Sequence, residues 1–197
     1  MITVLSGVAS NMLTVTATAE RELALSAGQT AGLQELIGQA SDMCARFCRR
    51  DEGFGRATVA QTERDVARAR IVLARDINPS ITSVVESGTT LAASDYELDG
   101  SLLYRLSNDT RTAWSAAKVV ITYSAGYTLL TDTPQDLERA CLVTLAAIHA
   151  ARGRDPRLRS ETADGVGSVA YLDPRAGAEA LPVEAAALLM PYRKSLL

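Results

Sequence analysis

Histidine is almost absent from this 197-residue chain, which has His149 and no other. A histidine-rich metal centre is therefore excluded, and an imidazole base has one candidate position. Cysteine is scarce and odd in number, at three, so no disulfide framework is implied. Buried thiols in a reducing compartment are the expected use. Aromatic residues make up 5% of the chain, which points to a core of Leu, Val, Ile and Ala rather than ring clusters. No apolar run approaches the ~20 residues that cross a bilayer. The opening Met1-Ile2-Thr3-Val4-Leu5 lacks both the basic region of a signal peptide and the Arg-rich face of a transit peptide. The expectation is a protein made and working in a soluble setting, with no membrane partner.

Excess positive charge is missing too. A formal charge of −3 and a pI near 5.3 argue against a chain whose main task is to grip nucleic-acid phosphates. What remains is ordinary for a folded domain with a core: 47% hydrophobic and 22% charged residues.

Residues 1–29 read as an N-terminal arm or edge strand. Leu13 to Thr18 is Thr-rich and strand-like, and Glu20 to Leu25 opens a helical turn. From Thr30 the pattern is helical: Leu33, Leu36, Ile37, Ala40, Met43, Cys44 and Phe47 share one face. Arg49 and Arg50 favour its C-terminus, and Gly53 and Gly55 are expected to end it.

Residues 56–127 read as a small antiparallel β unit. Strands are expected at Thr58–Glu63, Ala69–Leu73, Ile81–Val85 and Lys118–Tyr123, with a return at Gly88. Asp99-Gly100, between alternating segments, predicts a two-residue type I′ hairpin loop. A second long helix starts at Thr133-Pro134, with Thr133 as cap and Asp136 completing the arrangement. From Leu137 to Ala151 it is apolar almost all round, so burial on all sides is expected, part of it against a neighbouring subunit. Leu142, Leu145 and Ile148 are its candidate core or subunit-interface residues. A last helix follows Pro182. The fold expected is α+β: a helical bundle at 30–55 and 128–197 with the β unit inserted at 56–127, the whole of 30–197 forming one domain.

Candidate chemistry is thin. Cys44 and Cys48 lie four apart on a helix, but a zinc site needs two more ligands, and Cys141 and His149 stand on another helix. Asp95 to Gly100 opens like a calcium loop, yet the twelfth position is Leu106 instead of a bidentate Glu. Gly165-Val166-Gly167-Ser168 lacks the Lys-Ser/Thr of a phosphate loop and reads as a turn. With no Gly-x-Ser-x-Gly, His-Glu-x-x-His or paired-carboxylate context, the expectation is a non-enzyme with no catalytic residue, metal or cofactor. Arg152, Arg154, Arg157 and Arg159 form the densest basic cluster, and Arg46, Arg49, Arg50 and Arg56 another. These are solvated loop and helix ends, or contacts to an acidic partner or DNA phosphates. A nucleic-acid-binding accessory protein is the alternative they support.

The order of several motifs resembles the head–tail connector (adaptor) family of tailed phages, prophages and gene transfer agents. The carriers are Ser94-Asp95-Tyr96-Glu97-Leu98, Val120 through Ala125-Gly126-Tyr127, Thr133-Pro134-Gln135-Asp136-Leu137, and Leu188-Leu189-Met190-Pro191-Tyr192-Arg193. The resemblance implies a structural protein that assembles as a roughly dodecameric ring beneath the portal. Such a ring extends the DNA channel, lets DNA pass without specific binding, and docks the next neck or tail-completion protein. It implies a place at the head–tail interface of a particle made in the bacterial cytoplasm. Portal docking through the C-terminal region would fall on Tyr192, Arg193, Leu196 and Leu197.

Overall fold

The computed structural model describes residues 1–8, 10–26, 30–152, 160–163, 167–170 and 181–194, with backbone alone at 160–163 and 167–170. The chain divides into two compact units, one of Met1–Ser10 with Phe54–Thr128, the other of Asn11–Gly53 with Leu129–Leu197.

The first unit is all β. Strands β1 (Ile2–Ser6), β2 (Ala57–Arg68), β9 (Trp114–Ala125), β4 (Ser80–Glu86) and β5 (Thr89–Thr90) form a five-stranded antiparallel sheet in the order β1-β2-β9-β4-β5. A second antiparallel sheet has β7 (Leu102–Ser107) at its centre. On one side of β7 lies β6 (Tyr96–Asp99); its other edge pairs with β3 (Ile71–Val72) and β8 (Thr110–Thr112). Alternation along β2 and β9 sends Val59, Val119, Ile121, Tyr123 and Ala125 into a core shared with Ile71 and Leu103 of the second sheet.

Two-residue loops set the hairpin registers. Ser87-Gly88 and Asn108-Asp109 have both positions at positive φ (48° and 92°; 49° and 60°), the type I′ condition. The Asp99-Gly100 loop is corrected by one residue. Asp99 pairs with Leu102, the loop is Gly100-Ser101, and Gly100 alone has positive φ (58°), the glycine-first pattern of a type II′ turn.

The second unit holds α1 (Thr16–Glu22), α2 (Leu33–Phe47), α3 (Gln135–Ala150) and α4 (Val183–Leu189), the last running into a 3₁₀ turn at Met190–Tyr192. In a two-stranded hairpin, β10 (Ser160–Ala163) falls in the Arg-rich stretch expected as a solvated loop, and β11 (Gly167–Ala170) takes in Gly167-Ser168 of the expected turn. The α1 helix replaces the strand expected around Thr16. The α2 helix ends before the glycines that were to stop it. Arg50 N–H donates to Ala45 O (2.9 Å) and Arg49 N–H to Arg46 O (2.9 Å), with Arg49 at φ 57°. This is a Schellman closure with an arginine where glycine is usual.

A helical bundle with a small β insertion is therefore the wrong description. Two antiparallel sheets, of five and four strands, dominate, beside four short helices among the described residues. The error lies in the reach of β2 and β9. Each spans 12 residues, and they pair from Ala57↔Ala125 to Arg68↔Trp114, well beyond the six-residue segments expected. Within the chain itself α3 is buried on one face only: Arg139, Ala147 and Ala150 are exposed, and Ile148 is half-buried.

Candidate functional site

Within the helical unit, the C-terminal segment packs on the end of α2. After the 3₁₀ turn, Lys194 N–H donates to Cys48 O (2.9 Å), and its Nζ pairs with Glu52 Oε1 (3.3 Å). Arg50, buried to 6% exposure, donates from Nε to Tyr192 O (2.9 Å). The Arg193 guanidinium lies over the Phe47 ring, 4.9 Å from its centroid. Two of the expected docking residues, Tyr192 and Arg193, are thus half-buried and fixed by the fold; Leu196 and Leu197 lie outside the described residues. Beside this strap, an open depression of about 310 Å³ is lined by Asn11, Asp42, Arg46, Arg50 and Asp51.

The three thiols lie in the same unit's core. Cys44 Sγ contacts Thr144 Oγ1 (3.9 Å), Cys141 Sγ contacts Ser41 Oγ (3.5 Å), and Cys48 Sγ donates to Leu189 O (3.6 Å). Burial pushes Cys44 up to about 12, and Cys48 and Cys141 each to about 11, so at neutral pH they are thiols, not nucleophilic thiolates. Among the described residues no three His, Cys, Asp or Glu side chains gather as a metal-binding group. Leu142 and Leu145 are buried within the chain itself. His149 is half-buried on the last turn of α3.

The acids of the calcium-like segment already have partners. Arg111 bridges Glu97 (2.7 Å) and Asp99 (3.4 Å) across the second sheet, and its hydrogen bonds hold the Glu97 carboxyl below the usual range. Asp95 Oδ2 accepts from Ala92 N–H (3.1 Å). Of the basic clusters, Arg152 is exposed, while Arg154, Arg157 and Arg159 lie outside the described residues. Arg46 and Arg49 are exposed at the end of α2, and Arg56 belongs to the β unit, where Nη2 donates to Ser124 Oγ (3.0 Å).

The Ala125-Gly126-Tyr127 motif has a physical reason. Gly126 sits at φ 117°, and a Cβ there would collide with the Gly55 carbonyl group. Around it Arg56 N–H donates to Tyr127 O (2.8 Å), Tyr127 N–H to Phe54 O (2.9 Å) and Gly126 N–H to Ile77 O (2.8 Å). Sequence reasoning missed a buried polar cluster next to it. Tyr123 Oη donates to Gln61 Oε1 (3.0 Å) and accepts from Arg75 N–H (3.1 Å), while Arg75 Nη2 donates to Gly55 O (2.8 Å). Its one legible signal was a glutamine on the core-facing parity of β2. These contacts join backbone segments and place no open functional group in a cleft, so they are structural.

No protein-family profile matches the sequence, and no curated protein matches it. Solved structures do. A chain in the neck of an empty gene transfer agent (GTA) particle, computed with C6 symmetry, is 14% identical at TM-score 0.61. The likeness covers 100% of this chain and 97% of that one. A chain of the virion of a native GTA particle is 15% identical with the same TM-score and coverage. One in the neck of a native GTA particle, computed with C12 symmetry, is 17% identical at TM-score 0.52 over the same shares. Across its whole length, this chain has the fold found in the necks of gene transfer agent particles.

Proposed function

We propose that this protein is a structural head–tail adaptor of a tailed-phage-like or gene transfer agent particle and that it acts without catalysis. The full-length likeness to chains of GTA necks and virions carries the reading. The connector motifs support it: Gly126 and its neighbours make the close backbone approach that the fold requires. In this role the chain works as one connector, with residues 1–29 supplying the edge strand β1 and the first helix α1. Copies assemble as a ring beneath the portal, extend the DNA channel and present a face to the next neck or tail protein. An acidic chain suits a channel in which DNA slides.

For portal docking the anchored strap refines the assignment. Residues 190–194 hold the C-terminal end against α2, and residues beyond them, with Leu196 and Leu197, are the better candidates for direct contact. Removing residues 195–197 leaves Arg193 on Phe47 and Lys194 on Cys48 untouched. Mixed with portal rings, the truncated chain should keep its melting temperature and lose co-sedimentation. Co-sedimentation equal to the intact protein rejects docking through this end.

A further inference from the structure

We propose that the ring closes by strand addition, with β1 of one copy pairing to the open first half of β4 in the next. This rests on the ring reading above and names the surface that makes it. The observation is an exposed, uncharged edge strand whose one interruption is a register shift between Val4 and Ser6. Met1, Ile2, Val4 and Leu5 are 85%, 47%, 58% and 58% exposed, and β1 has neither a charged side chain nor a proline. Uncharged, apolar edges are templates for pairing with another chain, and folded proteins ordinarily blunt them.

The backbone alternation gives the edge its direction. Met1 exchanges both hydrogen bonds with Thr62 (N–H to Thr62 O 2.9 Å, Thr62 N–H to Met1 O 2.7 Å). Antiparallel alternation then makes Thr3↔Ala60 the next bonded pair and turns the peptide groups of Ile2 and Val4 to the open side. Ile2 and Val4 pair with Gln61 and Val59, so their side chains continue the core-facing side of the sheet past its last covered strand.

The far edge of the same sheet is complementary. The two-residue β5 covers Val85 and Glu86, and Leu91 N–H donates to Val84 O (2.9 Å). This leaves Ser80–Ser83, with a register shift between Ile81 and Ser83, without a described strand on its outer side. That stretch is also uncharged, and its Ile81 lies on the core-facing side opposite Tyr123. Direction fits as well. Three successive antiparallel pairings separate β1 from β4, so the two strands run oppositely. A second copy placed head to tail therefore meets β4 with an antiparallel β1, continuing the pattern of the whole sheet. One such unlike-edge contact, repeated by rotation, generates a cyclic ring.

The test compares full-length wild type, Val4→Pro, and the Ile2→Lys/Val4→Lys double variant by sedimentation velocity and by negative-stain imaging of particles carrying each. Val4→Pro removes an N–H that faces the open edge and leaves the β1–β2 bonds in place. The lysine pair keeps the backbone and charges the edge, and it decides if the proline variant fails to fold. Both should weaken self-association at least tenfold and give necks without a ring, with melting temperatures within a few degrees of wild type. Rings that form as in wild type in the lysine variant, or in folded Val4→Pro, overturn the strand pairing and leave the adaptor reading standing. Wild-type necks that lack this chain overturn the adaptor reading, and the strand proposal falls with it.

Discussion

The β unit and the helical unit hold themselves together in different ways. In the β unit, large side chains from distant segments meet. Trp114 donates from Nε1 to Leu103 O (3.1 Å), and Tyr123 ties β9 to Gln61 and to Arg75. In the helical unit Leu33, Ile37, Leu137 and Leu145 pack around a seam of small residues. Ser41 Oγ accepts from Leu13 N–H (3.1 Å), donates to Ile37 O (2.8 Å) and touches Cys141, while Ala40, Cys44, Ala140 and Thr144 let helices approach closely. Changes in the β unit should therefore break backbone geometry, whereas changes in the helical unit should shift stability in smaller steps.

The largest effect is expected at the β unit's tightest backbone approach. Gly126→Ala forces a side chain into the Gly55 carbonyl group at φ 117° and should cost about 3 kcal/mol or more in urea unfolding. Retention of wild-type stability would mean that the glycine is not required. Tyr123→Phe leaves the Arg75 N–H and Gln61 Oε1 without the hydroxyl they share, and should cost ~1–3 kcal/mol. A near-neutral result would show that the cluster repairs itself.

In the helical unit, Ser41→Ala strips the buried Leu13 N–H of its acceptor, a loss of ~1–2 kcal/mol that hydrogen exchange should localise to this unit. Alkaline pH probes the same core. Burial pushes the folded thiols up to about 11 to 12, above their ordinary value of 9.0, so the unfolded chain ionises first. Their contribution is whole below pH 9 and is lost as pH rises from there through the folded values. Cys44→Ala should flatten that decline; an unchanged slope places the pH dependence elsewhere. The smallest effect runs in the stabilising direction. Arg49→Gly relieves a left-handed residue at the end of α2 and should add up to ~1 kcal/mol.

The same contrast explains what could be read from sequence. Helix α2 was legible because its apolar residues recur at helical spacing and its buried face is the predicted one. The full β2 strand was not, because Glu63, Arg64 and Asp65 interrupt the alternation, and Asp65 sits at φ 49°. Its continuation depends on β9, more than 40 residues away, which no local pattern reports. Dominance of the sheets was hidden for the same reason. The strap was half visible: the terminal motif was recognised, but its anchoring to Arg50, Cys48 and Phe47 is a tertiary fact. The exposed β1 edge had no sequence signal beyond uncharged apolar residues, which suit a covered strand equally well.

The most direct test of the adaptor reading is electron microscopy of particles produced with this gene deleted. The account predicts DNA-filled heads accompanied by detached tails. Complete tailed particles would contradict it.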